Sequence, residues 1–368
     1  MGPHWLSLAL FLGGLVALVL GADALVRGAS KLALALGISP LVVGLTVVAF
    51  GTSAPEMAVS ASSVIGGQTG LALGNVVGSN IFNLLFILGL SALVVPLAVH
   101  QQIIRQEMPG LIGITVLLLF LAQDGNLSMG DGALLLACLL IYTVALVWQS
   151  RRLNRALALS ANTPAGLPQP GSTRAWDARL PVQLALIAAG LALLVLGSHW
   201  LVTASVAFAR SLGVSELVIG LTIVAAGTSM PEVATSIAAA LKGERDIAVG
   251  NVVGSCTFNL LGCLGLSGVL AGSAGLPVAQ SLLEFDLWVM LAATLVCLPL
   301  FFTGHEISRL EGALLLIGFA LYLAYVLLAA RGTPGLLAPQ TVLWGVAAPM
   351  VVAALLASMR RSGRGLPR

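Results

Sequence analysis

Charged side chains are scarce in this chain. Lys, Arg, Asp and Glu make up 8% of its 368 residues, where a soluble domain carries about 25%. Hydrophobic residues make up 58% and the mean hydropathy is +1.05, so the chain cannot clothe itself for water and reads as an integral membrane protein. A net charge of +3, with the basic residues scattered through short connectors, offers no footprint for nucleic acid. Cysteine is sparse too. Cys138, Cys256, Cys263 and Cys297 all lie in apolar runs without CxxC spacing, which excludes a disulfide or zinc framework and leaves buried thiols. The opening MGPHWLSLAL has no Lys or Arg ahead of its apolar run, which argues against a cleaved signal peptide and makes the first run a true span.

A helical span needs about 20 mainly apolar residues. Ten candidates satisfy this: 5–26, 39–64, 71–95, 108–122, 131–148, 180–203, 215–240, 247–271, 285–303 and 311–330, with an eleventh C-terminal candidate at 336–357 that contains two prolines. The expected organisation is a first unit over 1–148, an Arg/Pro/Gly/Ser-rich linker over 149–179, a second unit over 180–330 and an extension over 331–368. Sidedness follows from the basic residues. With the eleventh span, fifteen of them share one side and two, Arg210 and Arg331, lie on the other; without it the division is eleven to six. Both counts place the N-terminus outside and the linker in the cytoplasm of an inner or plasma membrane.

Against this background the chain repeats itself. GTSAPE at 51–56 recurs as GTSMPE at 227–232, GNVVGSNIFNLL at 74–85 as GNVVGSCTFNLL at 250–261, and SPLVVGLT at 39–46 as SELVIGLT at 215–222. All three pairs are offset by 176 residues, and DGALLL at 131–136 echoes EGALLL at 311–316 with an offset of 180. Five spans separate each residue from its counterpart. Five is odd, so the second copy crosses the membrane in the opposite direction. The expected fold is therefore an all-α polytopic membrane protein of two inverted five-helix repeats, an architecture of secondary transporters.

Chemistry concentrates in the repeated motifs. Between Lys31 and Arg105 no residue except Glu56 carries a full charge, and a carboxylate at mid-bilayer costs several kcal/mol, about 2.5–3.5 on insertion scales. Proline in each GTSxPE block frees the carbonyl four residues back, that of Gly51 or Gly227. Such breaks survive in a membrane where they line a cavity or coordinate something. Thr52, Ser53 and Glu56 then offer oxygens from one direction, and Thr228, Ser229 and Glu232 from the other. Ser79 with Asn83, and Ser255 with Asn259, are four apart and share a helix face. Gly74 with Gly78 and Gly250 with Gly254 form small-residue faces that would press these donor helices together. The set holds no His or Met and has Cys256 as its nearest thiol, so it suits Ca2+ or alkali cations rather than zinc, copper or iron.

Plainer readings compete at each position. One intramembrane glutamate reads as well as a structural hydrogen bond; two at symmetry-equivalent places, each flanked by hydroxyls, favour a cation site. Ser62, Ser63, Thr235 and Ser236 read as packing hydroxyls, Asp23 with Arg27 as an interfacial ion pair, His199 as a structural residue, and Cys256 as a packing replacement for Asn80. An intramembrane enzyme would need a His or Lys base near Ser53 or Ser229, and the sequence places none there. A channel would need no inverted symmetry.

On these motifs the chain resembles the calcium/cation antiporter superfamily, in particular its prokaryotic sodium/calcium exchanger branch, over residues 5–330. The resemblance implies ten spans, four central ion sites, no cofactor, and Ca2+ and Na+ as transported substrates, with the lipid bilayer and no obligatory protein as partner. It implies Glu56 and Glu232 as central acidic ligands, joined by Thr52, Ser53, Ser79, Asn83, Thr228, Ser229 and Ser255, and by the carbonyls of Ala49 and Ala225. Two positions depart from the family pattern. Asn259 stands where some members have aspartate, and GSCTFN lacks the first Asn of GSNxFN. The GNxxE pattern of the proton-coupled plant and fungal branch is missing. The expected activity is electrogenic Na+/Ca2+ exchange by alternating access. The alternative is Ca2+/H+ antiport, because a proton neutralises a buried glutamate as well as sodium does.

Overall fold

The computed structural model describes residues 4–160, 179–211, 225–302, 304–330 and 338–342. Its helices are α1 (His4–Leu36), α2 (Pro40–Thr52), α3 (Ala54–Ile65), α4 (Thr69–Val94), α5 (Ile103–Leu121), α6 (Met129–Ser160), α7 (Leu180–Ser211), α8 (Ala225–Thr228), α9 (Met230–Leu241), α10 (Arg245–Ala274), α11 (Leu282–Phe302), α12 (Arg309–Ala330) and the short α13 (Pro339–Val342). Among the described residues, eight helices are long and apolar enough to cross a membrane, and α2 with α3 form a further span bent by 43°. Residues 212–224, which hold the start of the 215–240 candidate and the repeat segment SELVIGLT, lie outside the described residues, as does most of 336–357.

Two boundaries differ from expectation. Helix α6 runs on to Ser160, twelve residues into the segment read as linker, because RRLNRALAL is rich in the strong helix formers Arg, Leu and Ala. Helix α1 continues past residue 26 to Leu36 and stops where Gly37 takes a φ of 60°. Ser39 then caps α2 by accepting the Val42 N–H at 3.3 Å, with Pro40 in the first helical turn.

Helices α1 and α7 form the longest contact, and small residues set it. A Cβ at Gly14 would fall 2.8 Å from the Gly197 carbonyl oxygen, and one at Gly21 would fall 2.9 Å from that of Gly190. These pairs ascend along α1 and descend along α7, so two helices that are equivalent in the repeats run antiparallel. The repeats are thus inverted in space as their order implied. The same symmetry relates Gly89 against Gly312 to Gly265 against Gly132, which bring α4 onto α12 and α10 onto α6. Large side chains such as Leu12 and Val16 on α1, Leu140 and Val144 on α6, and Ile317 and Leu321 on α12 stay exposed. They make the apolar outer surface that a bilayer requires.

Two-residue strands tie one repeat to the other. β1 (Leu97–Ala98) pairs antiparallel with β4 (Glu306–Ile307), and β2 (Asn126–Leu127) pairs antiparallel with β3 (Leu276–Pro277). The DGALLL/EGALLL echo also gains a cause here. Asp131 accepts the Ser128 N–H at 2.9 Å and its hydroxyl at 2.7 Å, and Glu311 accepts the same groups of Ser308 at 2.8 and 2.7 Å. Each acid closes a capping box at the start of α6 or α12.

Candidate cation site

The site forms where two spans break. Ser53 separates α2 from α3 at φ −79°, ψ 3°, and Ser229 separates α8 from α9 at φ −88°, ψ 9°. Pro55 and Pro231 occupy the first turn of the helix that follows, and Glu56 and Glu232 share that turn. The N-terminal end of a helix carries unpaired N–H groups and a partial positive charge, so each glutamate sits where a carboxylate is favoured. The Ser198 hydroxyl, reaching in from α7, donates to the Gly227 carbonyl that lies four residues before Pro231. Its counterpart in α1 is Ala22, which has no hydroxyl.

Each glutamate is held by the opposite repeat. Ser229 donates to Glu56 Oε1 at 2.8 Å, and Ser53 donates to Glu232 Oε1 at 3.3 Å. Thr228 closes α8 next to Ser229 and is half-buried. Thr52 donates to Asn251 Oδ1 at 3.0 Å and lies 3.4 Å from the Ser255 hydroxyl. Glu56, Glu232, Thr52, Ser53, Ser229, Ser255 and Asn259 are all fully buried, with Ser79 and Asn83 nearly so. The Ala49 carbonyl already accepts the Ser53 N–H at 3.0 Å and lies 3.3 Å from the Thr52 hydroxyl, a longer alternative acceptor than Asn251 for its one hydrogen. Of Ala225 only the helical backbone is described.

Several donors are left over. Glu56 Oε2, Glu232 Oε2, Ser79 Oγ, both amide atoms of Asn83 and Asn259 Nδ2 are buried without a hydrogen-bond partner. A buried polar atom left unpaired costs about 1–3 kcal/mol, so such a concentration calls for something to fill it. The leftover oxygens, two of carboxylates, one of a hydroxyl and one of the Asn83 amide, fit a hard cation, whereas the Asn83 and Asn259 amide nitrogens are hydrogen-bond donors. Among the described residues no three His, Cys, Asp or Glu side chains are grouped as a metal cluster.

Geometry around the asparagines is unusual for a helix. Asn83 lies in a π-helical turn over Phe82–Ile87, and Asn259 opens the equivalent turn over Asn259–Cys263. Such turns widen a helix locally and often mark functional sites. The Cys263 thiol approaches Asn259 Oδ1 at 3.5 Å. Cys256 Sγ lies 3.9 Å from the carbonyl of Asn80, its own symmetry equivalent, so the pseudo-two-fold axis passes between them.

Two residues that the motif reading passed over prove central. Asn75 Nδ2 donates to Ser60 Oγ at 3.0 Å and to the Glu56 carbonyl at 3.3 Å, while Asn251 Nδ2 donates to Ser236 Oγ at 2.9 Å and to the Glu232 carbonyl at 3.5 Å. Each fixes the backbone that carries a glutamate. Their signal was the Asn of GNVVGS, present in both copies. Ser236 therefore supports Asn251, whereas Ser62 bonds the Val59 carbonyl of its own helix. Gly250 and Gly254 press α10 against Leu41, Leu45 and Ala49 of α2. The equivalent partners of Gly74 and Gly78 fall within residues 217–225, of which 217–224 lie outside the described residues. Asp23, read from the sequence as a partner of Arg27, also has a partner across the repeats. Asp23 Oδ1 meets Lys242 Nζ of the other repeat at 2.6 Å. His199 lies exposed beside an apolar cavity next to Phe50.

The family model described as sodium/calcium exchanger protein matches residues 6–148 and 182–328, both halves of the chain. The chain belongs to the sodium/calcium exchanger family. That family consists of ion exchangers, not enzymes, and membership makes this nearly all-helical chain a multi-pass integral membrane protein. Among its relatives, a chain of Alkalimonas amylolytica that carries the name antiporter CaxA is 41% identical over 312 residues, covering 84% of this chain and 95% of the relative. Sodium/calcium exchanger MaX1 of Methanosarcina acetivorans is 32% identical over 338 residues, covering 84% and 95%. A solved structure of the sodium-calcium exchanger NCX_Mj, soaked without Na+ and Ca2+, superposes with a TM-score of 0.74 at 28% identity, covering 88% of this chain and all of the other.

Proposed function

We propose that this chain is a secondary active antiporter that exchanges Na+ for Ca2+ electrogenically by alternating access, with its N-terminus outside and the segment between the repeats in the cytoplasm of an inner or plasma membrane. The observation that carries the reading is the pair Glu56 and Glu232, each gripped at one oxygen by a serine of the opposite repeat and unpartnered at the other. Around them Thr52, Ser53, Ser79, Asn83, Thr228, Ser229, Ser255 and Asn259, with the carbonyls of Ala49 and Ala225, complete an oxygen-rich set for the transported ions. Two ionised glutamates carry a charge of −2, which one Ca2+ or two Na+ neutralise. Movement of three Na+ against one Ca2+, the family expectation, carries one net charge per cycle. That charge is worth roughly 2.3 kcal/mol per 100 mV, so the membrane potential helps to drive Ca2+ out. The empty site keeps its negative charge, and that charge opposes an uncoupled return across an apolar barrier.

A second reading shares the fold and both glutamates. Two carboxylates without a third acid at Asn259 serve protons as well as sodium, which makes Ca2+/H+ antiport the alternative. Radiolabelled Ca2+ uptake into proteoliposomes distinguishes the two. Uptake driven by an outward Na+ gradient and accelerated by an inside-positive potential establishes electrogenic Na+/Ca2+ exchange. Uptake that follows an imposed pH gradient and ignores Na+ overturns that assignment in favour of protons.

A further inference from the structure

The two repeats share a sequence pattern but not a packing arrangement. Helix α1 packs along α9, the helix that carries Glu232. The symmetry-equivalent contact would place α7 along α3, the helix that carries Glu56. Instead α7 touches the end of α2, where Leu191 packs on Gly51, and an open apolar cavity of about 550 Å³, lined by Phe50, Ala54, Val195, Leu196 and His199, lies between α7 and the start of α3. Exposure follows suit. Ala54 and Ala58 of α3 are exposed, whereas their equivalents Met230 and Ala234 of α9 are partly covered. The structure is thus closed between α1 and α9 and open between α7 and α3.

One ion pair fastens the closed side. Lys242 Nζ lies 2.6 Å from Asp23 Oδ1 and donates to the Asp23 backbone carbonyl at 2.9 Å. Lys242 is the C-cap of α9 at φ −80°, ψ −3°, followed by Gly243 at φ 79°. The C-cap of α3 has the same geometry, with Gly66 at φ −79°, ψ 4°, followed by Gly67 at φ 75°. At an offset of 176, Lys242 corresponds to Gly66 and Asp23 corresponds to His199. The backbone frame of the latch is therefore present twice, and its charges once.

We propose that Asp23 and Lys242 form a one-sided latch that stabilises the state in which α1 lies on α9, with no counterpart in the exchanged state in which α7 lies on α3. In an inverted-repeat transporter the second access state arises when the repeats exchange conformations. After that exchange His199 faces Gly66, which has no side chain to pair with it. The pair biases the access equilibrium in one direction. The inference rests on the alternating-access part of the proposed function and not on which ions are carried.

Spin-label distances in full-length protein reconstituted into liposomes test the latch. With the partly buried Cys138 replaced by serine, labels at Ile65→Cys and Leu196→Cys, both exposed positions, report the separation of α3 and α7 far from the latch. The unaltered pair should show mainly the long separation. Asp23→Asn or Lys242→Met should raise the ratio of short to long separations about 1.5- to 5-fold, the range of half-exposed ion pairs. The reversed pair Asp23→Lys with Lys242→Asp should return it towards the starting value. Unchanged distributions in the single variants, or a reversed pair that behaves like them, would overturn the latch. Gly66→Lys with His199→Asp builds the missing pair. Read with labels at Leu20→Cys and Leu241→Cys, the equivalents of the first two positions, it should populate a wider α1–α9 separation, and no change would overturn the symmetry argument. The distances need no transported ion, so a failed transport assay counts against the proposed function alone.

Discussion

Neutralising one central carboxylate separates ion binding from folding. In Glu56→Gln the side chain keeps its length, and the Ser229 hydroxyl, 2.8 Å from Oε1, still finds a carbonyl-type acceptor. What disappears is one negative charge in a fully buried place. At 4 Å and an effective dielectric of 20, a unit charge pair is worth about 4 kcal/mol, and a divalent ion doubles that. Even after much of this is offset by relaxation, the loss for Ca2+ must exceed the loss for Na+, by at least about tenfold in affinity on these figures. The effect on folding is smaller. The variant loses a favourable N-terminal charge worth about 0.3–1 kcal/mol and sheds the desolvation burden of a buried ion. The new amide nitrogen takes the place of an oxygen that had no partner. Titration calorimetry with Ca2+ and Na+ on purified protein, beside radiolabelled Ca2+ uptake and a thermal unfolding scan, measures all three quantities. Abolished exchange, a larger affinity loss for Ca2+ than for Na+, and a little-changed unfolding temperature are the expected results, and Glu232→Gln should match them. Near-normal exchange by both variants, or an equal loss for both ions, would refute the reasoning.

Other substitutions probe the supporting shell. Asn251→Ala frees Thr52, Ser236 and the Glu232 carbonyl together, so it should lower unfolding stability by about 2–4 kcal/mol and impair uptake more than Asn75→Ala, which frees Ser60 and the Glu56 carbonyl; equal effects would count against the cross-repeat role of Asn251. Ser229→Ala removes a 2.8 Å bond to a carboxylate and Ser53→Ala one of 3.3 Å, so the first should raise the apparent KM for Ca2+ more, as initial uptake rates would show. Asn259→Asp adds a third acid to the site, and its uptake should change its dependence on Na+ and on pH more than its unfolding temperature. Gly14→Ala drives a methyl to 2.8 Å from the Gly197 carbonyl oxygen and should destabilise the α1–α7 contact by about 1–3 kcal/mol, measured as a lower unfolding temperature.

Membrane class, inversion and the candidate site residues are legible in the sequence, because each rests on local or periodic information. Span length reflects bilayer thickness, and an odd number of spans between copies forces inversion. An acid inside an apolar run is conspicuous wherever it lies. The reach of helix α6 to Ser160 was legible in principle, since the residues after Trp148 favour helix, but their charge read as linker. Hydrogen-bond partners were not legible. Ser229 grips Glu56 across 173 positions of sequence and Lys242 meets Asp23 across 219, and no periodicity within either segment encodes such a meeting. Asn75 and Asn251 show the same limit, since a motif marks an asparagine without saying which carbonyl it will hold. The difference between the repeats lies deeper still. Nearly identical motifs occupy different surroundings because α1 and α7 pack together as one pair, and that pair leans on α9 and leaves α3 uncovered. Sequence symmetry makes both arrangements available to the chain; the side chains that meet after packing, Asp23 with Lys242 against His199 with Gly66, set their balance.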